Sequence, residues 1–216
     1  MSSARDVPAQ NDKTAFQSDG RKSQDQAIHS LLENDLGVAL PLHISLSRPL
    51  TFKTEAKNLF LTCLQQAITE SNIRVFNVQP KDLAWHSNEN STRWFLVLRL
   101  QRSADEEMSR LLEVCNQIAS EFSQPLLYAS GNKHGKSRAA PDAAQKFHVS
   151  IAWSLERPEF EDKNGRRKST GEEDGVGVPY ELLGRLTELS VAFGEVKVRI
   201  GQDVHAVPLK PARGRR

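Results

Sequence analysis

The sequence predicts an α+β protein in which two lobes of antiparallel sheet and helix face each other across a cleft. Three observations predict it. Stretches with strand periodicity alternate with amphipathic helices along the chain. Two of the strands, at 41–49 and 147–153, carry the same His-x-Ser pattern. These two strands lie about half of the 216-residue chain apart, one in each half. The lobes are interleaved in sequence, so residues 26–210 are expected to form a single bilobed domain. A polar tail at 1–25 precedes it and a basic tail at 211–216 follows.

Taken in order, residues 1–25 are rich in Ser, Asp, Gln and Lys with almost no apolar positions, a composition that predicts disorder. Ala27, Ile28, Leu31 and Leu32 suggest a short helix over 26–33, broken at Asn34-Asp35-Leu36-Gly37. Pro41-Leu42-His43-Ile44-Ser45-Leu46-Ser47-Arg48-Pro49 alternates apolar and polar residues, as a half-buried strand does. Successive strand side chains point to opposite faces. Leu42, Ile44 and Leu46 should therefore meet a core, while His43, Ser45 and Ser47 line up on the other side.

Thr54 is placed to cap a helix running to Glu70, with Ala56, Leu59, Phe60, Cys63, Leu64, Ala67 and Ile68 as its apolar face. Short strands are predicted at 74–79 and 83–87 around Pro80-Lys81-Asp82. The run Trp94-Phe95-Leu96-Val97-Leu98 predicts a central strand over 92–100, covered on both faces. A second amphipathic helix spans 104–121, with Met108, Leu111, Leu112, Cys115, Ile118, Ala119 and Phe122 as its stripe. A polar loop at 128–145 leads into Phe147-His148-Val149-Ser150-Ile151-Ala152-Trp153. Residues 156–178 are charged, Gly-rich and without periodicity, a flexible insertion in the domain. A third helix is predicted over 179–191, then strands at 195–200 and 204–209 joined as a hairpin by Gly201-Gln202-Asp203.

A hydrophobic content of 38% and a mean hydropathy of −0.52 are low for a compact domain, in keeping with tails and loops. The net charge of +2 creates no strong field, so nucleic-acid binding needs local basic clusters. These occur at Arg166-Arg167-Lys168 and along Lys210, Arg213, Arg215 and Arg216. Cys63 and Cys115 both fall on helix stripes and read as buried thiols in a reducing compartment. With no apolar run of membrane-spanning length and no signal-peptide core, the chain is expected to be soluble and intracellular.

Histidine both takes and gives a proton near neutral pH. Two of them flanking one phosphodiester allow His43 and His148 to share the work, one deprotonating a nucleophile and the other protonating the leaving oxygen. Ser45 and Ser150 are placed to hydrogen-bond the phosphate oxygens and stabilise developing charge. In RNA the ribose 2′-OH supplies the nucleophile, so neither a metal nor a protein nucleophile is required. The remaining histidines, His29, His86, His134 and His205, are scattered in contexts that do not match a zinc site. There is no Gly-x-Ser-x-Gly elbow, phosphate loop or dinucleotide-binding glycine pattern.

The paired tetrads His43-Ile44-Ser45-Leu46 and His148-Val149-Ser150-Ile151 resemble the 2H phosphoesterase superfamily. With their flanking words, with Thr92-Arg93-Trp94-Phe95-Leu96, and with Val198-Arg199-Ile200-Gly201, the chain resembles the U6 snRNA phosphodiesterase family in a fungal-type version. The resemblance implies a 2H phosphoesterase-like fold of two pseudo-symmetric lobes around a central cleft. It implies a nuclear, monomeric, metal- and cofactor-independent 3′-to-5′ exoribonuclease that trims the 3′ oligouridine end of U6 snRNA. The product would end in a 2′,3′-cyclic phosphate or a phosphate opened from it. His43 and His148 take the catalytic positions, and Ser45 and Ser150 the phosphate-binding ones. Tyr128 and Trp153 are candidates to stack on a base.

Two departures stand out. The family's usual N-terminal strand, with its Trp and His-x-Tyr-like word, and the helix after it are replaced here by the polar first 25 residues. Asp142 stands where some relatives place a base-stacking tyrosine. Two alternatives therefore accompany the reading. One is another 2H activity, cyclic phosphodiesterase or 2′-5′ RNA ligase-like; the other is an RNA-binding protein that the shortened lobe leaves inactive.

Overall fold

The computed structural model describes residues 27–88, 90–101, 105–129, 146–156, 159–161, 167–169 and 180–212. The elements are β1 (His29–Ser30), α1 (Thr54–Glu70), β2 (Phe76–Val78), β3 (Pro80–Ser87), β4 (Trp94–Leu100), α2 (Asp105–Glu121) and β5 (His148–Ser154), followed by β6 (Glu159–Glu161), β7 (Arg167–Ser169), α3 (Tyr180–Glu188), β8 (Val191–Phe193), β9 (Glu195–Ile200) and β10 (Asp203–Pro208). The principal sheet has the order β1-β5-β4-β3, and all its pairs are antiparallel. Three antiparallel pairs, β2–β8, β6–β7 and β9–β10, complete an α+β fold.

The two long helices form where the periodicity puts them. In α1, Phe60, Leu64 and Ile68 repeat every four residues and are buried against Leu111, Cys115 and Ile118 of α2. Val196 of β9, Val207 of β10 and Leu209 close this core from the other side. Two details differ from expectation. Thr54 is the first helical residue and Lys53 holds the cap position without a side-chain bond, and Leu59 is 60% exposed at the edge of the stripe. Met108 and Leu112 of α2 join Val78 and Phe147 in a second core, against which Ile44, Leu46 and Leu100 pack. Burial pushes the Cys115 thiol up to about 12, so it is a packed, inert group. Both cysteines are free thiols.

Several sequence expectations are corrected. The helix expected at 26–33 is absent. Leu31 N–H instead donates to Ile151 O at 2.9 Å, and β1 pairs with the end of β5. Asn34 Oδ1 accepts from both Leu36 N–H and Val38 N–H, and a Glu33–Ala39 bridge closes a small hairpin. Four apolar residues in eight give little helix stability on their own, and an open sheet edge offers these backbone groups partners.

Residues 80–82, expected to separate two short strands, begin β3 through an irregularity between Pro80 and Asp82. Proline is tolerated at a strand's first residue. The third helix stops at Glu188, short of its expected end, and Val191 opens an unexpected strand that pairs with β2. The β9–β10 hairpin turns at Gly201, whose φ of +63° favours glycine. Within the predicted insertion, the described residues form the β6–β7 pair. The N-terminal tail, the loop over 130–145 with His134 and Asp142, and residues 213–216 lie outside the described residues. Among the described residues no helix is long and apolar enough to cross a membrane.

Candidate active site

The first His-x-Ser word does not form the full strand its alternation suggests. It makes one antiparallel bridge, Ile44 to Val149, at the centre of the second word. Val149 pairs with Leu98 of β4 on its other side, so Ile44 lies on the β5 edge that β1 also occupies, at His29–Trp153 and Ser30–Ala152. Two chain segments share one edge, and the prolines at 41 and 49 bring no N–H to extend the pairing. Ile44 and Leu46 pack in the core as expected, whereas Leu42 is 48% exposed.

That single bridge fixes the geometry of the site. Antiparallel pairing of Ile44 with Val149 sets His43 across from Ser150 and Ser45 across from His148. All four side chains then project from the same face, with the two histidines on one diagonal of a square and the two serines on the other. Diagonal neighbours across such a pair stand about 7–8 Å apart, enough to admit a phosphodiester between the rings. His43 and Ser45 are exposed, and His148 and Ser150 are half-buried.

His148 is held by its own backbone neighbourhood. Its Nδ1 lies 2.7 Å from the Lys146 carbonyl oxygen. A carbonyl only accepts, so Nδ1 carries a proton and Nε2 is the free nitrogen of the neutral ring. The same oxygen accepts the Tyr128 hydroxyl at 3.0 Å. Burial is the main force lowering the His148 pKa below its usual 6.5; the Lys146 hydrogen bond opposes it, and the charge of His43 adds to it. The two histidines thus feel each other electrostatically.

Tyr128 stands at a left-handed φ of +50°, an uncommon backbone for a bulky residue, and its ring meets Phe147 edge-on at 6.0 Å. The preceding residues are fixed from two sides. Buried Asn116 donates to Leu127 O at 2.8 Å and accepts from Leu127 N–H at 2.9 Å. Arg48 Nε, just past the first word, donates to Leu126 O at 2.9 Å, and Thr51 N–H donates to the Gln124 side chain. The loop that orients His148 is therefore tied to the segment that carries His43.

Trp153 is positioned by an irregularity. Val97 pairs with Ser150 but Leu96 pairs with Ala152, so Ile151 is an extra residue in β5. Strict alternation would turn Trp153 away from His148; the bulge re-aims it onto the same face. There the His29 ring stacks on it at 4.2 Å and the Arg93 guanidinium carbon lies 4.9 Å from its ring centre. Tyr128 and Trp153, both proposed from sequence as base-stacking residues, thus stand at opposite ends of β5, each already engaged by protein groups.

The register adds residues that sequence reading passed over. Arg99 pairs directly with His148, and its guanidinium grips Asp82 through Nε and, at 2.9 Å, through Nη2. His86 lies nearly parallel to His148 with ring centres 6.3 Å apart. Alternation along 82–86 puts Asp82 and His86 on one face, a signal present in the sequence but hidden without the strand pairing. Among the described residues no group of three or more His, Cys, Asp or Glu side chains could hold a metal ion.

The chain has relatives among known proteins. The HVSL family profile, described as an uncharacterised conserved protein, matches residues 6–208, and the chain belongs to this family. U6 snRNA phosphodiesterase 1 of Neurospora crassa is 36% identical over 141 residues, which are 60% of this chain and 36% of that protein. The chain thus spans about a third of the length of this curated relative. Usb1 of Kluyveromyces marxianus shares the fold with a TM-score of 0.57 at 18% identity, covering 85% of this chain and 82% of that one. The same protein with uridine monophosphate gives 0.57 at 19% identity, over 85% and 81%. These matches support the resemblance to the U6 snRNA phosphodiesterases that the paired words suggested.

Proposed function

We propose that this protein is an RNA phosphodiesterase that trims the 3′ end of U6 snRNA in the nucleus, removing terminal uridines by attack of a ribose 2′-OH. The observation that carries the reading is the Ile44–Val149 bridge, which sets two histidines and two serines around one point. The name of the Neurospora crassa relative and the uridine monophosphate bound by the structural relative agree with it.

In this reading His148 is the base. Its pKa is lowered, which keeps the ring neutral, and its Nδ1–H is committed to Lys146, which leaves Nε2 to accept a proton. His148 takes the proton from the 2′-OH of the next-to-last nucleotide. The 2′-oxygen attacks the adjacent phosphorus, and the bond to the 5′-oxygen of the last nucleoside breaks. His43, exposed and across from Ser150, delivers a proton to that oxygen. The Ser45 and Ser150 hydroxyls hold the non-bridging oxygens as charge develops. The RNA is left with a 2′,3′-cyclic phosphate, which water opens if the same groups work in reverse.

No step calls on a metal, and the chain acts as a monomer with RNA as its partner. The two words, expected one in each of two facing lobes, instead meet at one edge of the principal sheet through the Ile44–Val149 bridge. The test is incubation of purified protein with an RNA ending in oligouridine, in EDTA, followed by mass analysis of the ends. Stepwise loss of uridine with a cyclic or opened terminal phosphate is expected. Binding without shortening would instead make the protein an RNA-binding module.

A further inference from the structure

The reaction at His43 and His148 does not use a cluster on the same sheet face formed by Trp153, Arg93 and His29. His29 stands on β1, and Arg93 immediately precedes β4, so the two reach Trp153 from strands on opposite sides of β5. The His29 ring lies 17° from parallel with the indole at 4.2 Å, and the Arg93 guanidinium sits over the ring at 4.9 Å. A guanidinium resting on an aromatic face keeps its N–H donors in its own plane, pointing away from the ring. Such an arginine is already oriented to grip an anion, with little side-chain freedom left to lose on binding.

Arg93 contrasts with Arg99 on the same strand face. Arg99 is neutralised by Asp82 through two contacts. The Arg93 side chain has no carboxylate partner among the described residues, and its backbone N–H and carbonyl are both bonded to Asn88. Both Arg93 and His29 are exposed. Because Ile151 is taken up in the bulge, Trp153 stands about two regular strand positions beyond Ser150. At ~3.3 Å per residue that is roughly 7 Å, the scale of one nucleotide.

We propose that Arg93 and His29, carried on Trp153, bind the phosphate one step to the 5′ side of the bond being cut. This rests on reading the site as a 3′-end RNA trimmer. The polarity follows from the substrate's chemistry. A terminal nucleoside with a free 3′-OH brings no phosphate except the one under attack. Any second phosphate within reach of the site must belong to the RNA that stays. The cluster therefore recognises the body of the chain, and Trp153 serves as the platform for two phosphate-binding side chains rather than for a base.

The experiment compares Arg93→Gln and the double variant with His29→Ala on two substrates, pentauridylate and the dinucleotide uridylyl-uridine. The dinucleotide has one phosphodiester and nothing 5′ of it. The ratio of kcat/KM for pentauridylate to that for the dinucleotide should fall about tenfold in Arg93→Gln, through KM, and further in the double variant. The dependence of binding on salt should lose about one phosphate contact. An unchanged ratio, whether both substrates suffer alike or neither does, would overturn the proposal. A second arm separates its failure from that of the trimming reading. Binding of a 5′-labelled pentauridylate, 2′-deoxy at the next-to-last position, is followed by fluorescence anisotropy, which requires no cleavage. Affinity lowered about tenfold in Arg93→Gln supports the subsite even if wild-type protein cuts nothing, and equal affinity overturns it.

Discussion

The Tyr128 hydroxyl and the His148 Nδ1–H converge on one acceptor, the Lys146 carbonyl oxygen, at 3.0 and 2.7 Å. Burial pushes the Tyr128 phenol up to about 12, so the group stays protonated and can only serve here as the donor. The carbonyl is thus pinned from one side while it fixes the tautomer and tilt of the histidine from the other. Tyr128→Phe keeps the ring that packs on Phe147 and removes only the pin. We expect kcat to fall about tenfold with KM nearly unchanged, a cost in orientation rather than in binding. Single-turnover kinetics on an oligouridine-tailed RNA read this directly. Wild-type rates in Tyr128→Phe would show that the backbone alone holds His148.

The four residues around the Ile44–Val149 bridge divide by the size of their expected effects. His43→Ala and His148→Ala should each lower turnover by about 10²–10⁴-fold, the usual worth of a positioned acid or base. Ser45→Ala and Ser150→Ala should cost on the order of a hundredfold, one donor to the phosphate each. Circular dichroism should be unchanged, because none of the four side chains belongs to either core. Near-full turnover in a histidine variant would remove the paired-histidine mechanism.

How much of this was legible in the sequence depends on where the information is stored. The helices were, because Phe60, Leu64 and Ile68, or Leu111, Cys115 and Ile118, repeat at a spacing only a helix turns to one side. The faces of the two words were also legible, since the apolar partners Ile44 and Val149 alternate with the polar four. What the sequence cannot display is pairing. The shared edge of β5, the extra residue at Ile151 and the placement of Arg99 beside His148 are all matters of register. The bulge turned Trp153 to the side opposite to the one alternation assigns. The helix expected at 26–33 failed for the complementary reason: its apolar spacing was local, but its backbone partners, led by Ile151 O, are not.

If His148 is the base, the acid limb of the pH profile reports on it. A base works only when neutral, and burial lowers the His148 pKa from 6.5, with the charge of His43 acting in the same direction. The rise of kcat/KM with pH should therefore have its midpoint below 6.5. The sign for stability follows from the same shift. Below pH 6.5 the unfolded chain binds this proton more readily than the folded one, so this contribution is present above 6.5 and is lost as pH falls. Urea midpoints measured on either side of pH 6.5, in wild type and in His148→Gln, check it. If stability fell no less steeply with acid in the variant, His148 would not be the source.

The nucleophile is tested by removing one atom from the substrate. If the 2′-OH of the next-to-last nucleotide attacks the last phosphodiester, an RNA with 2′-deoxyribose at that position should not be trimmed at all. His148 Nε2 would then have no proton to take. Ser45 and Ser150 stand across the square from each other, and the proposed mechanism gives them the phosphate oxygens to hold, not the phosphorus to attack. The 2′-OH of the last nucleotide should matter far less, because that nucleoside only departs. Two otherwise identical RNAs, deoxy at the last or at the next-to-last position, incubated with the same purified protein, separate the cases. Trimming of the first and persistence of the second is the expected pattern. Trimming of both would mean that water attacks the phosphorus directly, with His148 activating the water, and the end left on the RNA would then carry a phosphate with no cyclic precursor.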